Sequence, residues 1–283
     1  MQIAEIENRH VSHRPESNES CYDIYMGLGH LFSLIDDPDV FRVSTAGHAL
    51  GYYLLRNLRE NELTGRILDL GTGSGIQALL LRDMGATRVT ATDISSRAVA
   101  AAKENEVRHF GDLEIEYLTG NLFDALQDPE SKMFDLIIFN PPGWRSPSDE
   151  LKAKLSRSSG GIDLNAMFYG DGVVVDFLTQ LPAKLCHGGR AIIGLNSLIG
   201  IADVLRRGNE VVRDIHRKKL KYRLLERIEI PLLLYTQSWH DARADLIGEF
   251  EHWRRNHRAA FSNANGRFTW YYEITEISVV DLI

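Results

Sequence analysis

From residue 66 onward the chain alternates short apolar runs, bounded by turn residues, with stretches whose apolar residues recur at helical spacing. The runs at 66–70, 88–93, 113–118, 134–140 and 190–196 read as strands. The intervening stretches at 76–84, 97–110 and 172–186 read as helices, the last stopped by His187-Gly188-Gly189. Strand followed by helix, repeated, predicts a doubly wound α/β fold, a mostly parallel sheet with right-handed crossovers and helices on both faces. Beyond residue 196 the pattern changes to helix at 201–219, strand at 224–235, helix at 241–255 and strand at 267–277. That order predicts an antiparallel edge hairpin whose connection holds a whole helix, at about 239–256. Leu246, Ile247, Phe250 and Trp253 follow helical spacing, so packing onto the core is the first expectation for this helix and capping a substrate pocket the second. Before the alternation begins, residues 1–60 read as an accessory region and 61–283 as the main domain. Within the accessory region, 21–35 and 46–58 read as helices lying over the sheet.

Composition narrows the function classes. At 283 residues, with 44% hydrophobic and 25% charged residues, the chain has the makeup of an ordinary globular protein. No run approaches a membrane span, and the first twenty residues lack the apolar core of a secretory signal, which points to the cytoplasm. Cys21 and Cys186 stand alone, without a CxxC, so neither a disulfide framework nor a metal site is read from them. A net charge of -7 disfavours nucleic acid as a general partner, because counterion release rewards a cationic surface.

The sharpest local signal is Leu68-Asp69-Leu70-Gly71-Thr72-Gly73-Ser74-Gly75, which ends the first run of the alternation and opens the first of its helices. Glycines there allow positive φ and close approach of a ligand to the backbone, and the free N–H groups at the helix start favour electron-rich ligand atoms. Asp93 ends the next strand, where a carboxylate can accept both hydroxyls of a ribose. A nicotinamide or flavin dinucleotide uses a similar turn and acid, but Gly71, Gly73 and Gly75 form GxGxG in place of GxGxxG. Asp69, two residues before the turn, is poorly placed beside a pyrophosphate and well placed beside a cationic amino-acid group.

These residues resemble the class I methyltransferases that use S-adenosylmethionine. Asp93-Ile94-Ser95 with Ala98, Ala101, Ala102 and Asn105 is similar to the second motif of their NPP-bearing subgroup. That subgroup, the methyltransferase small-domain type, contains protein-glutamine and ribosomal-RNA guanine N-methyltransferases. Gly120-Asn121-Leu122-Phe123 matches a segment whose acid lies near the adenine amino group, here replaced by Asn121, whose amide oxygen can still accept a hydrogen bond. Tyr169-Gly170-Asp171-Gly172 and Gly188-Gly189-Arg190 extend the likeness to about residues 40–197. The resemblance implies a Rossmann-like, mostly parallel seven-stranded sheet with an antiparallel edge hairpin and an N-terminal helical extension. It also implies S-adenosylmethionine as cofactor, S-adenosylhomocysteine as product, and Asp69, Gly71, Thr72, Gly73, Gly75, Asp93, Ile94, Asn121, Leu122 and Asn140 around them.

Asn140-Pro141-Pro142 closes the strand at 134–140, at the carboxyl end where ligands of open α/β sheets bind. Two prolines make a stiff backbone with predictable carbonyl directions, and Asn140 adds a side-chain acceptor. In the resembling family this motif holds an NH2 group between the Asn side-chain oxygen and the first Pro carbonyl, which assigns catalysis to Asn140 and Pro141. Methyl transfer of this kind rests on positioning and electrostatics and needs neither a Ser/His/Asp triad nor a metal. Pro142, Gly143 and Trp144 are expected around the acceptor. The family's aromatic residue after Pro-Pro is replaced by Gly143, so either Trp144 swings in to stack on the acceptor or Gly143 makes room for a bulkier one. The stretch at 144–161 reads as a loop over the pocket, and its Arg145, Lys152, Lys154 and Arg157 either meet an anion or form a solvated face.

The function expected is N-methylation, first of a small molecule bearing an amine, amide or guanidine. A protein side chain of glutamine type comes second and an RNA or DNA base third. An oxygen acceptor, a nicotinamide-dependent dehydrogenase and a non-catalytic cofactor-binding module are the remaining readings.

Overall fold

The computed structural model describes residues 20–126, 133–158, 167–234 and 237–282. Residues 1–19 of the accessory region, and Gly160-Gly161 of the expected loop, lie outside the described residues, as does the side chain of Arg157.

The chain opens with an antiparallel hairpin, β1 (Cys21–Gly27) and β2 (His30–Ile35), where the sequence suggested a helix. The reason lies in the turn: Gly27, Leu28 and Gly29 all have positive φ, which no right-handed helix accepts. Phe32 and Leu34 of β2 alternate with exposed neighbours and bury their side chains against the next helix layer. Helix α1 (Thr45–Asn57) follows, N-capped by the Ser44 hydroxyl, which accepts from Gly47 N at 3.1 Å. A single turn, α2 (Glu60–Leu63), leads into the sheet.

The alternation then runs β3 (Ile67–Leu70), α3 (Ile76–Asp83), β4 (Val89–Asp93), α4 (Ser96–Phe110), β5 (Glu116–Thr119), β6 (Phe134–Phe139), α5 (Asp149–Ser158), α6 (Gly170–Gln180) and β7 (Leu185–Asn196). It continues with α7 (Ile201–His216), β8 (Lys218–Pro231), α8 (Gln237–Asp241), α9 (Arg243–Arg255), β9 (Phe261–Ala264) and β10 (Arg267–Asp281). The strand order is β5-β4-β3-β6-β7-β10-β8, with β9 paired to β10. Strands from β5 to β7 are mutually parallel, and β10 lies antiparallel to both β7 and β8. The order reverses beside β3, so the carboxyl ends of β3, β4 and β6 open onto one crevice.

Several boundaries differ from expectation, each for a local reason. The third helix of the alternation stops at Gln180, where Pro182 follows in a 3-10 turn, and Leu185-Cys186 already belong to β7. Gly188 and Gly189 therefore lie inside a strand, at a register shift against β6, and do not stop a helix. Helix α7 ends at His216 because Arg217 turns left-handed, with φ 54°, so β8 begins six residues before the expected 224. The expected loop contains α5, and β9 was not foreseen, although Asn265-Gly266, both at positive φ, is a strong hairpin signal.

Two apolar layers enclose the sheet. One joins Leu50 and Leu54 of α1, Leu79 of α3 and Val99 of α4 to the hairpin and to Ile138 and Ile192. The other sets Val174 and Phe177 of α6 and Val204 and Val212 of α7 against Ile137 and Ile193. In α9, Leu246, Phe250 and Trp253 are buried and Ile247 half-buried, so this helix packs inward. Among the described residues no helix is long and apolar enough to cross a membrane.

Candidate active site

The turn after β3 is built by residues that only work in this backbone. Gly71, Gly73 and Gly75 sit at φ 66°, 57° and 88°. A Cβ at Gly75 would stand 2.9 Å from Ala102 Cβ, so this glycine lets α3 start against α4. A Cβ at Gly73 would meet nothing within 4 Å, which leaves the crest of the turn open. Thr72 N donates to Thr92 O at 2.9 Å and ties the turn to β4.

Two carboxylates hold the turn from either side. Asp69, 2% exposed, accepts from the Thr72 hydroxyl at 2.6 Å and from Ala78 N at 3.2 Å through the same oxygen. Burial pushes its pKa up to about 7 against the pull of those two donors. Asp93, at the end of β4, accepts from Gly73 N and from Ser95 N, each at 2.9 Å, and burial raises its pKa as well. Each oxygen of Asp93 thus fixes one backbone N–H and keeps lone-pair capacity on the crevice side. Gly120 N donates to Asp93 O at 2.9 Å, which brings the loop after β5 beside the loop after β4. On these two loops Ile94 is 70% exposed, Leu122 half-buried with φ 46°, and Asn121 exposed.

Asn140 follows β6, half-buried, and its Oδ1 accepts from the Tyr272 hydroxyl at 2.8 Å. On its amide side lies α1: a Cβ at Gly47 would be 3.5 Å from Asn140 Nδ2. Pro141 is buried, and the Pro142 carbonyl is approached so closely by Gly170 that a Cβ there would lie 2.0 Å from its oxygen. Trp144 N donates to Met167 O at 2.7 Å and Gly170 N to Trp144 O at 2.8 Å, which pins the segment after the prolines on both sides.

Both expectations for the position after Pro-Pro need correction. Trp144 is 2% exposed, and its ring packs on Phe168, Trp239 and Phe250 at centroid distances of 5.2, 5.0 and 5.3 Å. Moving it onto an acceptor would uncover that cluster, so it belongs to the wall behind the site. Gly143 does not leave room for a bulky acceptor either, because a Cβ there would stand 2.6 Å from Asn196 Nδ2, and that space is already filled. Arg145 is also spoken for: it donates to Ile199 O at 2.7 Å and pairs with Asp203 at 3.1 Å and Asp171 at 3.3 Å. Lys154 pairs with Asp245, and Lys152 lies over the Tyr169 ring.

Sequence reading placed Asn105 in the second motif without a role, and missed Gln77 and Tyr272 as supports of the site. Asn105 Oδ1 accepts from Ile35 N and its Nδ2 donates to Ser74 O, both at 2.9 Å, so one buried amide joins the hairpin to the glycine turn. Gln77 Nε2 donates to Gly47 O at 2.7 Å and ties α3 to α1. Tyr272 could not have been found, since nothing local to β10 announces Asn140.

Residues 33–154 match the family model described as Methyltransferase small domain. The chain is 32% identical over 153 residues to a release factor glutamine methyltransferase of Rhodopirellula baltica, covering 53% of this chain and 51% of that protein. It is 27% identical over 190 residues to a putative protein N5-glutamine methyltransferase of Methanocaldococcus jannaschii, covering 66% of this chain and 86% of that one. The chain thus spans about half the length of the first of these relatives. Among solved structures, the T. thermophilus 16S rRNA N2 G1207 methyltransferase in complex with AdoMet and guanosine shares the fold. That likeness has a TM-score of 0.50 at 18% identity, covering 92% of this chain and 52% of that one.

Proposed function

We propose, for a chain that belongs to the S-adenosylmethionine-dependent methyltransferases of class I, N-methylation of a protein side-chain carboxamide of glutamine type. The observation that carries this reading is Asn140, held at the carboxyl end of β6 on the crevice that the glycine turn and Asp93 also face. S-adenosylmethionine supplies an electrophilic sulfonium methyl group, and the residues present fit it. The open crest at Gly73 admits a ligand to the backbone, and the spare lone pairs of Asp93 suit the two ribose hydroxyls. Ile94 and Leu122 offer apolar contact to an adenine, with Asn121 beside them for its amino group. Once ionised, the buried carboxylate of Asp69 favours a cationic amino-acid group near the turn, and such a group would lower its raised pKa in return.

In this reading Asn140 Oδ1 and the Pro141 carbonyl each accept one hydrogen of the acceptor NH2. That grip would hold the acceptor nitrogen along the line of displacement, and the proton it gives up would pass to solvent water. Entropy of orientation and fixed dipoles do the work, without a strong base.

The small-molecule acceptor ranked first from the sequence yields to the protein carboxamide. The curated relatives above are named for glutamine in proteins. A purine or pyrimidine acceptor would want an aromatic platform, worth about 1–3 kcal/mol per base. With Gly143 after the prolines and Trp144 buried, this segment supplies none. The net charge of -7 points the same way.

The test is transfer of tritiated methyl from S-adenosylmethionine into fractionated extract, with Asn140→Ala as control. The expected label is acid-precipitable, sensitive to protease, released as N-methylglutamine on digestion, and abolished by Asn140→Ala. Label sensitive to ribonuclease, or label remaining soluble, would overturn the carboxamide assignment.

A further inference from the structure

Tyr272 lies on β10, separated from Asn140 by the whole width of β7. Register places Asn196 opposite Tyr272, Gly194 opposite Ile274, and Ile193 beside Phe139, the residue before Asn140. The phenol ring therefore has to cross β7 to reach the end of β6, and Gly194 provides the crossing. A Cβ at Gly194 would stand 1.7 Å from the Tyr272 hydroxyl oxygen. The ring is 1% exposed and meets Trp270 edge-on at 6.2 Å. Its hydroxyl has one hydrogen bond among the described residues, to Asn140 Oδ1 at 2.8 Å.

We infer that Tyr272 is a positioning residue that decides which end of the Asn140 amide is presented as the hydrogen-bond acceptor in the site. The inference rests on the N-methyltransferase reading above. An asparagine amide has two ends of nearly equal shape, one accepting and one donating, and an exposed amide rotates between them. The buried hydroxyl breaks that symmetry. With Oδ1 toward the phenol, the hydroxyl donates its proton and is satisfied. In the flipped amide Nδ2 would donate to the hydroxyl oxygen, and the hydroxyl proton would have no acceptor among the described residues. A buried donor left unmade biases the amide about 5- to 150-fold toward the observed orientation. Oδ1 keeps a second lone pair for one hydrogen of the acceptor NH2, while Nδ2 is turned toward Gly47 on α1. Burial also raises the pKa of the phenol, so it remains a neutral donor across the physiological range.

Two measurements test this, and Tyr272→Phe, which keeps the ring and its packing, is the variant for both. The first needs no acceptor: urea unfolding of the wild type, Tyr272→Phe, Asn140→Ala and the double variant. Coupling of about fivefold or more in the unfolding constant is expected for the hydroxyl and the amide. Additive effects would remove the link and overturn the inference. The second compares turnover in two backgrounds. With Asn140 present, Tyr272→Phe is expected to lower kcat about tenfold, leaving S-adenosylmethionine affinity unchanged and the loss constant from pH 6 to 9. In an Asn140→Asp background both carboxylate oxygens accept, no orientation remains to be chosen, and Tyr272→Phe is expected to change kcat less than twofold. Equal losses in the two backgrounds would mean that the phenol merely supports the fold, and would overturn the inference. Failure of wild-type protein to methylate any carboxamide would sink the functional reading, while the unfolding cycle would still decide the Tyr272–Asn140 link.

Discussion

Asp69 and Asp93 show how one residue type takes two tasks through burial alone. Asp93 spreads its two oxygens over Gly73 N and Ser95 N, whereas Asp69 spends one oxygen on Thr72 and Ala78 inside the turn. Burial raises the Asp69 pKa from 3.8 to about 7, so the folded protein holds a proton there that the unfolded chain releases. Its contribution to stability is fully present below pH 4 and is lost as pH rises through about 7. The difference in unfolding free energy between wild type and Asp69→Asn should therefore shift against the wild type from pH 5 to pH 8, as urea titrations at both values would measure. A cationic ligand prefers the ionised carboxylate, so S-adenosylmethionine affinity should rise over the same interval in the wild type and less in the variant. A flat difference curve would place the Asp69 titration elsewhere. Trp144 teaches the opposite lesson: an aromatic beside the prolines invites a substrate role, but three aromatic neighbours bury it.

Elements outside the βαβ repeat shape the site from one side. The β1–β2 hairpin and α1 reach the crevice through side-chain amides, with Asn105 bridging Ile35 and Ser74 and Gln77 bridging to Gly47. These bonds couple the accessory elements to the turn. Asn105→Leu leaves the buried Ser74 carbonyl and the half-buried Ile35 N–H without their partner, at a cost of about 1–3 kcal/mol for the buried one. It should also weaken S-adenosylmethionine binding several-fold in calorimetric titration, although Asn105 is 1% exposed and spends both ends of its amide on Ile35 and Ser74. Loss of stability with unchanged affinity would show that the hairpin only packs against the turn. On the other flank, Arg145 fastens the segment after the prolines to α6 and α7 through Asp171 and Asp203, which is why this basic residue is not free for an anion.

At the scale of the whole molecule, the switch in strand order brings the ends of β3, β4 and β6 together, while β8 and β10 extend the sheet on the far side. A ligand that binds only the folded form at one hundred times its Kd stabilises it by about 2.7 kcal/mol. S-adenosylmethionine should therefore raise the melting temperature by several degrees, and a reduced nicotinamide cofactor should leave it unchanged. The reverse result would revive the dehydrogenase reading, which shares the turn and the acid.

The strand–helix alternation from β3 to β7, α5 apart, and the glycine turn after β3 were legible from residues alone, because both are local. Gly71 to Gly75, Asp69 and Asp93 lie within one strand–helix–strand unit, and the bonds that the two carboxylate side chains accept span at most twenty residues. Asn140-Pro141-Pro142 was legible for the same reason, as a rigid end to one apolar run. The hairpin at the start was misread because apolar residues in a short segment suit either period until the left-handed Gly27-Leu28-Gly29 turn decides between them. What no local pattern could decide is which distant chains meet: Tyr272 is 132 residues from Asn140, Trp144 is covered by a helix 106 residues away at Phe250, and Gly143 is confined by Asn196. Sequence periodicity records which face of an element is apolar, but side-chain partners across strands follow from register and close packing, which exist only in the folded chain.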